Sequence, residues 1–287
     1  MKKIIHFFEY IGFILIYFIY KILPLNLSVN FSSFLFRTFG KFSKSNKTAI
    51  NNCRHVFPNL KDEEIQSIIK KSWHNLGVTI CELLRINDIF IENKIKYNEL
   101  QNIEDFIINK KQAIFIGIHQ SNWEVLVPSL DRIGINIGAI YRHINNRFID
   151  KLILKIRQNS LVTKKSFYTP KGRKSAKDII EGIGKSVSIL LLIDQKDSSG
   201  EEVIFFNKKV KTQTGFLKIA RKYNLPIIPI RNKRINNGHI ELTFLEPLYH
   251  NNLEIDDNQM METIHRKIEE WIKSEPSQWF WQHKRFS

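Results

Sequence analysis

The apolar positions along this chain change period several times, and those changes outline its organisation. Met1-Lys2-Lys3 leads into a nearly continuous apolar run from Ile4 to Leu23, closed by Pro24 and interrupted only by His6, Glu9 and Lys21. Its length is marginal for a membrane span, which takes ~20 apolar residues. Leu23-Pro24-Leu25-Asn26 offers no small-residue cleavage site, so a retained anchor is expected in place of a signal peptide. Tyr17, Tyr20 and Lys21 read as interfacial anchors at its far end. A second segment, Ser28–Phe42, sets Phe31, Phe34, Leu35, Phe36 and Phe39 among Arg37 and Lys41, with Lys44 just beyond. That is the profile of a basic amphipathic helix in a membrane surface, although phenylalanines at helical spacing pack a core equally well. From Lys61 to Asp88, the residues Ile65, Ile68, Ile69, Trp73, Leu76, Cys81 and Leu84 recur at helical spacing, with Asp62 as the expected cap.

Beyond Lys96 the pattern becomes short apolar runs alternating with amphipathic stretches. Strands are expected at 113–118, 137–141, 187–193, 226–230 and 239–245. Helices are expected near 123–132, 146–158, 174–183, 214–223 and 258–273. This alternation predicts an α/β fold with a mostly parallel sheet flanked by helices, behind an N-terminal hydrophobic membrane-anchoring helix. The expected division is 1–45 for the anchor and interfacial helix, 46–95 for a helical membrane-proximal segment and 96–287 for the α/β core. No internal repeat or low-complexity linker interrupts it.

Composition narrows the partners. An apolar fraction of 43% supports a sizeable core and argues against disorder. Two cysteines, Cys53 and Cys81, suggest neither a disulfide framework nor a zinc site. The formal charge of +16 favours an anionic membrane, substrate or partner. Nucleic acid is disfavoured, because Lys and Arg are scattered instead of clustered on one recognition element.

The chemistry concentrates in Ala113-Ile-Phe-Ile-Gly-Ile-His119-Gln-Ser-Asn-Trp-Glu124, where a buried strand ends in His119 and a carboxylate follows five positions later. On one continuous helix those two side chains would point about 140° apart. With Asn122 as N-cap, the non-helical start lets Glu124 fold back and brace one imidazole nitrogen while the other takes a proton, which makes a general base. The competing reading is a strand-terminal histidine satisfied by a neighbouring carbonyl. In a parallel sheet, ligands gather at the C-terminal ends of the strands. Asp194, after the apolar Val187–Ile193, and Tyr141-Arg142 lie at such ends, and Arg157 lies beside the apolar face of the next helix. Gly182-Ile-Gly-Lys-Ser186 imitates a phosphate-binding loop, but the motif's first glycine would fall at Ile179 and the segment precedes a strand. No Gly-x-Ser-x-Gly elbow or His-Glu-x-x-His appears, so serine esterase and zinc hydrolase chemistry lose support.

These residues carry a resemblance. The chain resembles the late, secondary acyltransferases of lipid A biosynthesis (the lauroyl or myristoyl type), within the wider glycerolipid acyltransferases that share a histidine-four-residues-acid motif. The matches are His119-Gln-Ser-Asn-Trp-Glu124; Tyr141-Arg142 with Asn145-Asn146-Arg147 and Arg157; Ile193-Asp194-Gln195; Gly200 through Phe205-Phe206; Thr212-x-Thr214-Gly215; and Pro276-x-x-Trp279-x-Trp281-x-His283-Lys284-Arg285-Phe286. They stand in the family's order and span nearly the whole chain. The histidine–acid motif alone is weak; the ordered set is specific.

The resemblance implies a membrane-bound acyltransferase. Its acyl donor would be acyl carrier protein and its acceptor a hydroxyl of a phosphorylated glycolipid, at the cytoplasmic side of a bacterial inner membrane. It implies His119 and Glu124 as catalytic, and Arg157 and Asp194 as members of the site. Arg157 would hold phosphate or stabilise the thioester oxyanion, and Asp194 would orient Arg157 or the acceptor. Arg142, Asn122 and Gln195 complete the expected substrate contacts. No metal or other cofactor is expected. Trp279, Trp281 and Arg285 are expected to pin the tail to the core, and Thr212 and Thr214 to cap the helix at 214–223. Two alternatives remain at this stage: another lipid acceptor, such as a lysophospholipid or glycerophosphate, and a non-catalytic binder.

Overall fold

The computed structural model describes residues 2–250 and 255–286. Five helices come first: α1 (Lys2–Ile22), α2 (Leu25–Phe39), α3 (Lys44–Val56), α4 (Asp62–Leu84) and α5 (Ile86–Ile91). Then follow β1 (Ile95–Asn98), α6 (Glu104–Ile108), β2 (Ile114–Gly117), α7 (Leu126–Arg132), β3 (Ile137–Tyr141), α8 (Arg147–Asn159), β4 (Phe167–Pro170), α9 (Arg173–Gly184) and β5 (Ser188–Leu192). The chain continues through β6 (Glu201–Phe205), β7 (Lys208–Thr212), α10 (Gly215–Tyr223), β8 (Ile227–Arg234), β9 (Ile240–Phe244) and α11 (Asp257–Ser274).

Among the described residues, seven strands form one sheet in the order β1-β9-β8-β2-β5-β3-β4. Every pairing in it is parallel except β8 with β9. The expected mostly parallel sheet flanked by helices is therefore present. Its central strands are buried on both faces, which explains their unbroken apolar runs. Ile114, Ile116, Ile189 and Leu191 face the helices carrying Ile65, Ile69, Leu217, Ile264 and Ile268. Phe115 and Leu190, one residue out of phase, face Leu126, Leu130, Ile103 and Phe106.

Some elements were not visible in the pattern. The edge strands β1 and β4 are short, and β4 ends in Pro170. β6 and β7 form a separate antiparallel hairpin. Its turn places Phe206 at φ 45° and Asn207 at φ 58°, the twist a two-residue hairpin requires but without its usual glycine. Two caps also differ from expectation. Lys61, not Asp62, is the N-cap of α4, with the Glu64 carboxylate accepting from the Lys61 N–H at 2.9 Å. Thr214 is the N-cap of α10 without a side-chain bond, and the Thr212 hydroxyl instead accepts from Arg285 at 2.7 Å.

α1 is long and apolar enough to cross a membrane, and little of it is buried. Ile4, Phe8, Leu15, Phe18 and Ile22 are exposed along it. One side, however, is docked. The Asn146 amide donates to the His6 carbonyl (2.7 Å) and Glu9 Oε2 (3.0 Å), and Phe7 and Tyr10 pack on Phe148. Tyr20 does not face an interface: it is buried against Phe31, and its carbonyl accepts from Ser28 and Arg85. α2 lies tightly along α4, where the Ser32 hydroxyl donates to the Gly77 carbonyl at 2.6 Å. Both cysteines are buried, and burial pushes each thiol up to about 12, so neither serves as a nucleophile.

Gly77 is where α2 and α4 come closest: a Cβ there would stand 2.8 Å from the Ser32 carbonyl oxygen and 2.9 Å from Phe36 Cβ. Gly77→Ala is expected to push α2 away from α4 and to cost about 1–3 kcal/mol. Urea denaturation followed by tryptophan fluorescence measures this.

Candidate active site

The sheet order determines what His119 meets. β2 lies between β8 and β5, and the parallel register sets Gly117 opposite Leu192. Two residues further along each chain, His119 and Asp194 come side by side. The Ile193 N–H still donates to the Gly117 carbonyl at 3.1 Å. At the next rung a side chain replaces the backbone, and the His119 N–H donates to Asp194 Oδ2 at 3.0 Å. His119 Nδ1 lies 2.8 Å from Asp194 Oδ1, and the Trp279 indole N–H donates to Oδ2 at 2.7 Å. A carboxylate only accepts, so Nδ1 carries the hydrogen and Nε2 is left as the basic nitrogen. Asp194 is 2% exposed. Burial alone would raise its carboxyl, but the His119 charge and the bonds from the His119 ring, Trp279 and the backbone hold it below the usual carboxylate range.

Glu124 does not brace His119, contrary to the sequence expectation. The turn between them is held from outside. Ser121 sits at φ 53°, a left-handed conformation costing about 1–3 kcal/mol for a residue with a side chain. Its carbonyl accepts from Thr79 Oγ1 (2.8 Å) and Asn75 Nδ2 (3.3 Å), and its N–H donates to the Gln278 carbonyl (2.9 Å). The His119 carbonyl accepts from Phe280 N–H at 2.8 Å, and the Gln120 carbonyl accepts from Asn232. Asn122 does cap the following 3-10 turn, its Oδ1 accepting from Glu124 N–H at 3.0 Å. Its Nδ2 donates to Glu82, itself paired through both oxygens with Arg234.

So directed, Glu124 meets α8. Arg157 donates from Nε to Oε2 at 2.8 Å and from a terminal nitrogen to Oε1 at 2.6 Å. Burial would lower the Arg157 guanidinium, but the Glu124 charge and hydrogen bonds outweigh it and hold the cation above its ordinary range. The guanidinium also lies 5.9 Å from the Tyr141 ring centroid. Asp194 likewise does not orient Arg157. The two carboxylates have the reverse of the expected partners: Asp194 holds His119, and Glu124 holds Arg157.

His119 and the Glu124–Arg157 pair line one cavity of about 770 Å³ at the C-terminal ends of β2, β3 and β5, with Asp194 buried against the His119 ring. Val127, Ala139, Tyr168, Leu190 and Leu192 give it an apolar wall, while Arg142, His143, Lys171, Gln195 and Lys196 line its polar side. Of the expected substrate contacts, Arg142 and Gln195 therefore reach the cavity, Arg142 at its exposed rim. Asn122 does not line it, because both ends of its amide are committed within the turn. Trp279 and Trp281 are buried, and the Arg285 guanidinium donates to the Lys211 carbonyl and the Thr212 hydroxyl; these three residues fasten the tail to the core as expected.

Sequence reasoning missed that Trp279 also holds Asp194. It also missed Phe280 and His283, which enter the cavity from the C-terminal segment. Phe280 and Trp123 flank the His119 ring at 6.2 and 5.2 Å between centroids. The dense aromatic and basic spacing of residues 279–286 was the available signal.

A half-buried histidine held by a buried carboxylate thus stands at the carboxyl edge of a parallel sheet, where ligands of α/β folds gather, and opens on a half-apolar cavity. Residues 2–287 match the bacterial lipid A biosynthesis acyltransferase family, and the chain belongs to it. It is an acyltransferase acting on a lipid acceptor. No curated protein matches the chain in sequence. Among solved structures, the chain is similar to the 1-acyl-sn-glycerophosphate (LPA) acyltransferase PlsC from Thermotoga maritima. That likeness has 13% identity and a TM-score of 0.41, covering 91% of this chain and 99% of that one.

Glu124→Ala leaves the buried Arg157 cation unpaired and is expected to cost about 3–5 kcal/mol in denaturant titration. Replacing both residues together (Glu124→Gln with Arg157→Met) is expected to cost less.

Acid sensitivity follows from two other imidazoles. Burial pushes His265 down to about 3 and His283 down to about 4. Unfolded histidine titrates near 6.5, so below that pH the unfolded chain binds protons that the folded one refuses. Their contribution to stability is therefore full above about pH 6.5 and declines as pH falls toward 4 and 3. His265→Gln is expected to make the slope of unfolding free energy between about pH 6 and 4.5 shallower, by up to about 1.4 kcal/mol per pH unit.

Proposed function

We propose that this acyltransferase moves a fatty acyl chain from an acyl carrier protein thioester to a hydroxyl of a phosphorylated lipid A precursor, at the cytoplasmic side of a bacterial inner membrane. The observation that carries the reading is His119: one ring nitrogen is fixed by Asp194, and the ring lines a cavity shared with the buried Arg157–Glu124 pair.

In this reading Nε2 of His119 takes the proton of the acceptor hydroxyl as its oxygen attacks the thioester carbonyl. The carbonyl electrons move to oxygen, and that charge is met by Arg157 donors not engaged with Glu124, whose carboxylate holds the cation in place. Collapse of the tetrahedral intermediate breaks the C–S bond, and the imidazolium returns its proton to the departing thiolate. The products are an ester and a free thiol. Asp194 stays ionised throughout, keeping the ring in its productive tautomer. Glu124 thus acts through Arg157.

The surface suits both substrates. Arg142 and His143 stand at the rim, and exposed Arg147 follows, where an anionic headgroup or an acidic carrier finds complementary charge. The exposed apolar side of α1 continues through Phe7 onto exposed Phe148, the residue after Arg147. A lipid acceptor held in a bilayer can thereby present its hydroxyl without leaving the interface. The apolar wall from Val127 to Leu192 is suited to the acyl chain.

Incubation with a tetra-acylated lipid A precursor and a panel of acyl carrier protein and coenzyme A thioesters, with product mass as the readout, tests this. The expected result is a product heavier by one acyl chain, with His119→Ala and Asp194→Asn each slowed at least about 10²-fold. Transfer only to lysophospholipid or glycerophosphate would overturn the acceptor, and near wild-type turnover by His119→Ala would overturn the base.

A further inference from the structure

The site contains a second imidazole that the mechanism above leaves unused. His283 lies three residues beyond Phe280, whose N–H bonds the His119 carbonyl. Its backbone is fixed, because the Asn52 amide donates to the carbonyls of Trp281 (2.8 Å) and His283 (2.6 Å). Gln282 donates to Ser72, and Arg285 is fastened to β7. The ring therefore cannot drift from the cavity wall to which it contributes. Its Nδ1 edge is buried and bonds to nothing in the protein. The ring is only half-buried and lines the cavity, so Nε2, and not the buried Nδ1, is the nitrogen available to a ligand there.

An imidazole placed in this way is an unexplained cost for a purely structural residue. A buried polar atom without a partner is destabilising, and a leucine at 283 would avoid it. The ring is also held neutral: burial disfavours the cation, and His119, Arg142 and Arg285 add to that against the opposing charge of Asp194. A neutral imidazole has one N–H. Carried on Nε2, it offers a donor to a carbonyl oxygen bound in the cavity that His119 also lines.

We propose that His283 is a catalytic residue whose Nε2–H donates a hydrogen bond to the thioester carbonyl oxygen, strengthening as that oxygen becomes an oxyanion. The inference rests on the acyl-transfer reading of the site. His283 transfers no proton. The electron pair moves from the carbonyl bond to oxygen and back, and the hydroxyl proton still passes from acceptor to His119 to thiolate. Because the bond is stronger in the transition state than in the bound thioester, its loss affects kcat more than the donor KM.

The test uses the full chain, the tetra-acylated precursor and acyl carrier protein loaded with a saturated chain. His283→Leu is expected to lower kcat about 10²-fold while changing the donor KM less than about threefold. His283→Gln places an amide N–H near the position of Nε2 and is expected to recover at least about tenfold of that loss, whereas His283→Asn, whose amide nitrogen falls near Nδ1, is not. If His283→Leu fails to fold, judged by its melting transition, the Gln and Asn pair decides the question. Leu turnover within about threefold of wild type, or equal turnover by Gln and Asn, would overturn the role of His283 while leaving the acyl-transfer reading intact. A wild-type chain that forms no acylated product would instead sink that reading itself.

Discussion

The pairing of His119 with Asp194 is the contact on which the rest of the site depends. It is a continuation of the sheet: where β2 and β5 run out of backbone rungs, an aspartate side chain takes the next hydrogen bond and the imidazole the one after. The ladder that stabilises the fold therefore also sets the histidine's tautomer. Removing the Asp194 charge from water here is offset by three donors converging on one carboxylate, from the His119 ring, the His119 backbone and Trp279. The group is rigid for the same reason that the sheet is rigid.

Around that contact the protein builds a frame drawn from every part of the chain. The turn after His119 carries a left-handed serine and would not hold itself. Helix α4 supports it through Asn75, Thr79 and Glu82, β8 through Asn232 and Arg234, and the C-terminal segment through Gln278 and Phe280. The N-terminal helices thus contribute directly to the geometry of the site. α4 also packs along α2, which joins α1, so the apolar outer surface and the catalytic turn share one mechanical path.

Charge is divided with similar economy. Arg142 stands at the cavity's exposed rim, while Glu124 and Asp194 are buried and each is committed to donors of the protein. Arg157 and Glu124 form a bidentate pair that supplies a fixed guanidinium without leaving a bare buried charge. The cavity brings His119 Nε2 and the oriented Arg157 guanidinium together beside an apolar wall.

What the sequence determined by itself is the periodicity, and everything that follows from periodicity alone. Unbroken runs such as 113–118 and 187–193 specify strands buried on both faces, and Asn122 specifies a helix start, because these depend on local burial and local capping. The residues of the site were legible too: His119, Glu124, Arg157 and Asp194 all line it or brace it. Their partners were not. Nearness in sequence suggested His119 with Glu124, yet strand order set β5 beside β2 and brought Asp194, seventy-five positions away, to the ring. The hairpin turn at Phe206-Asn207, the bond from Trp279 to Asp194 and the docking of His283 were hidden for the same reason. Hydrogen bonds between distant segments are fixed by how the layers stack, and no local pattern of residues encodes that stacking.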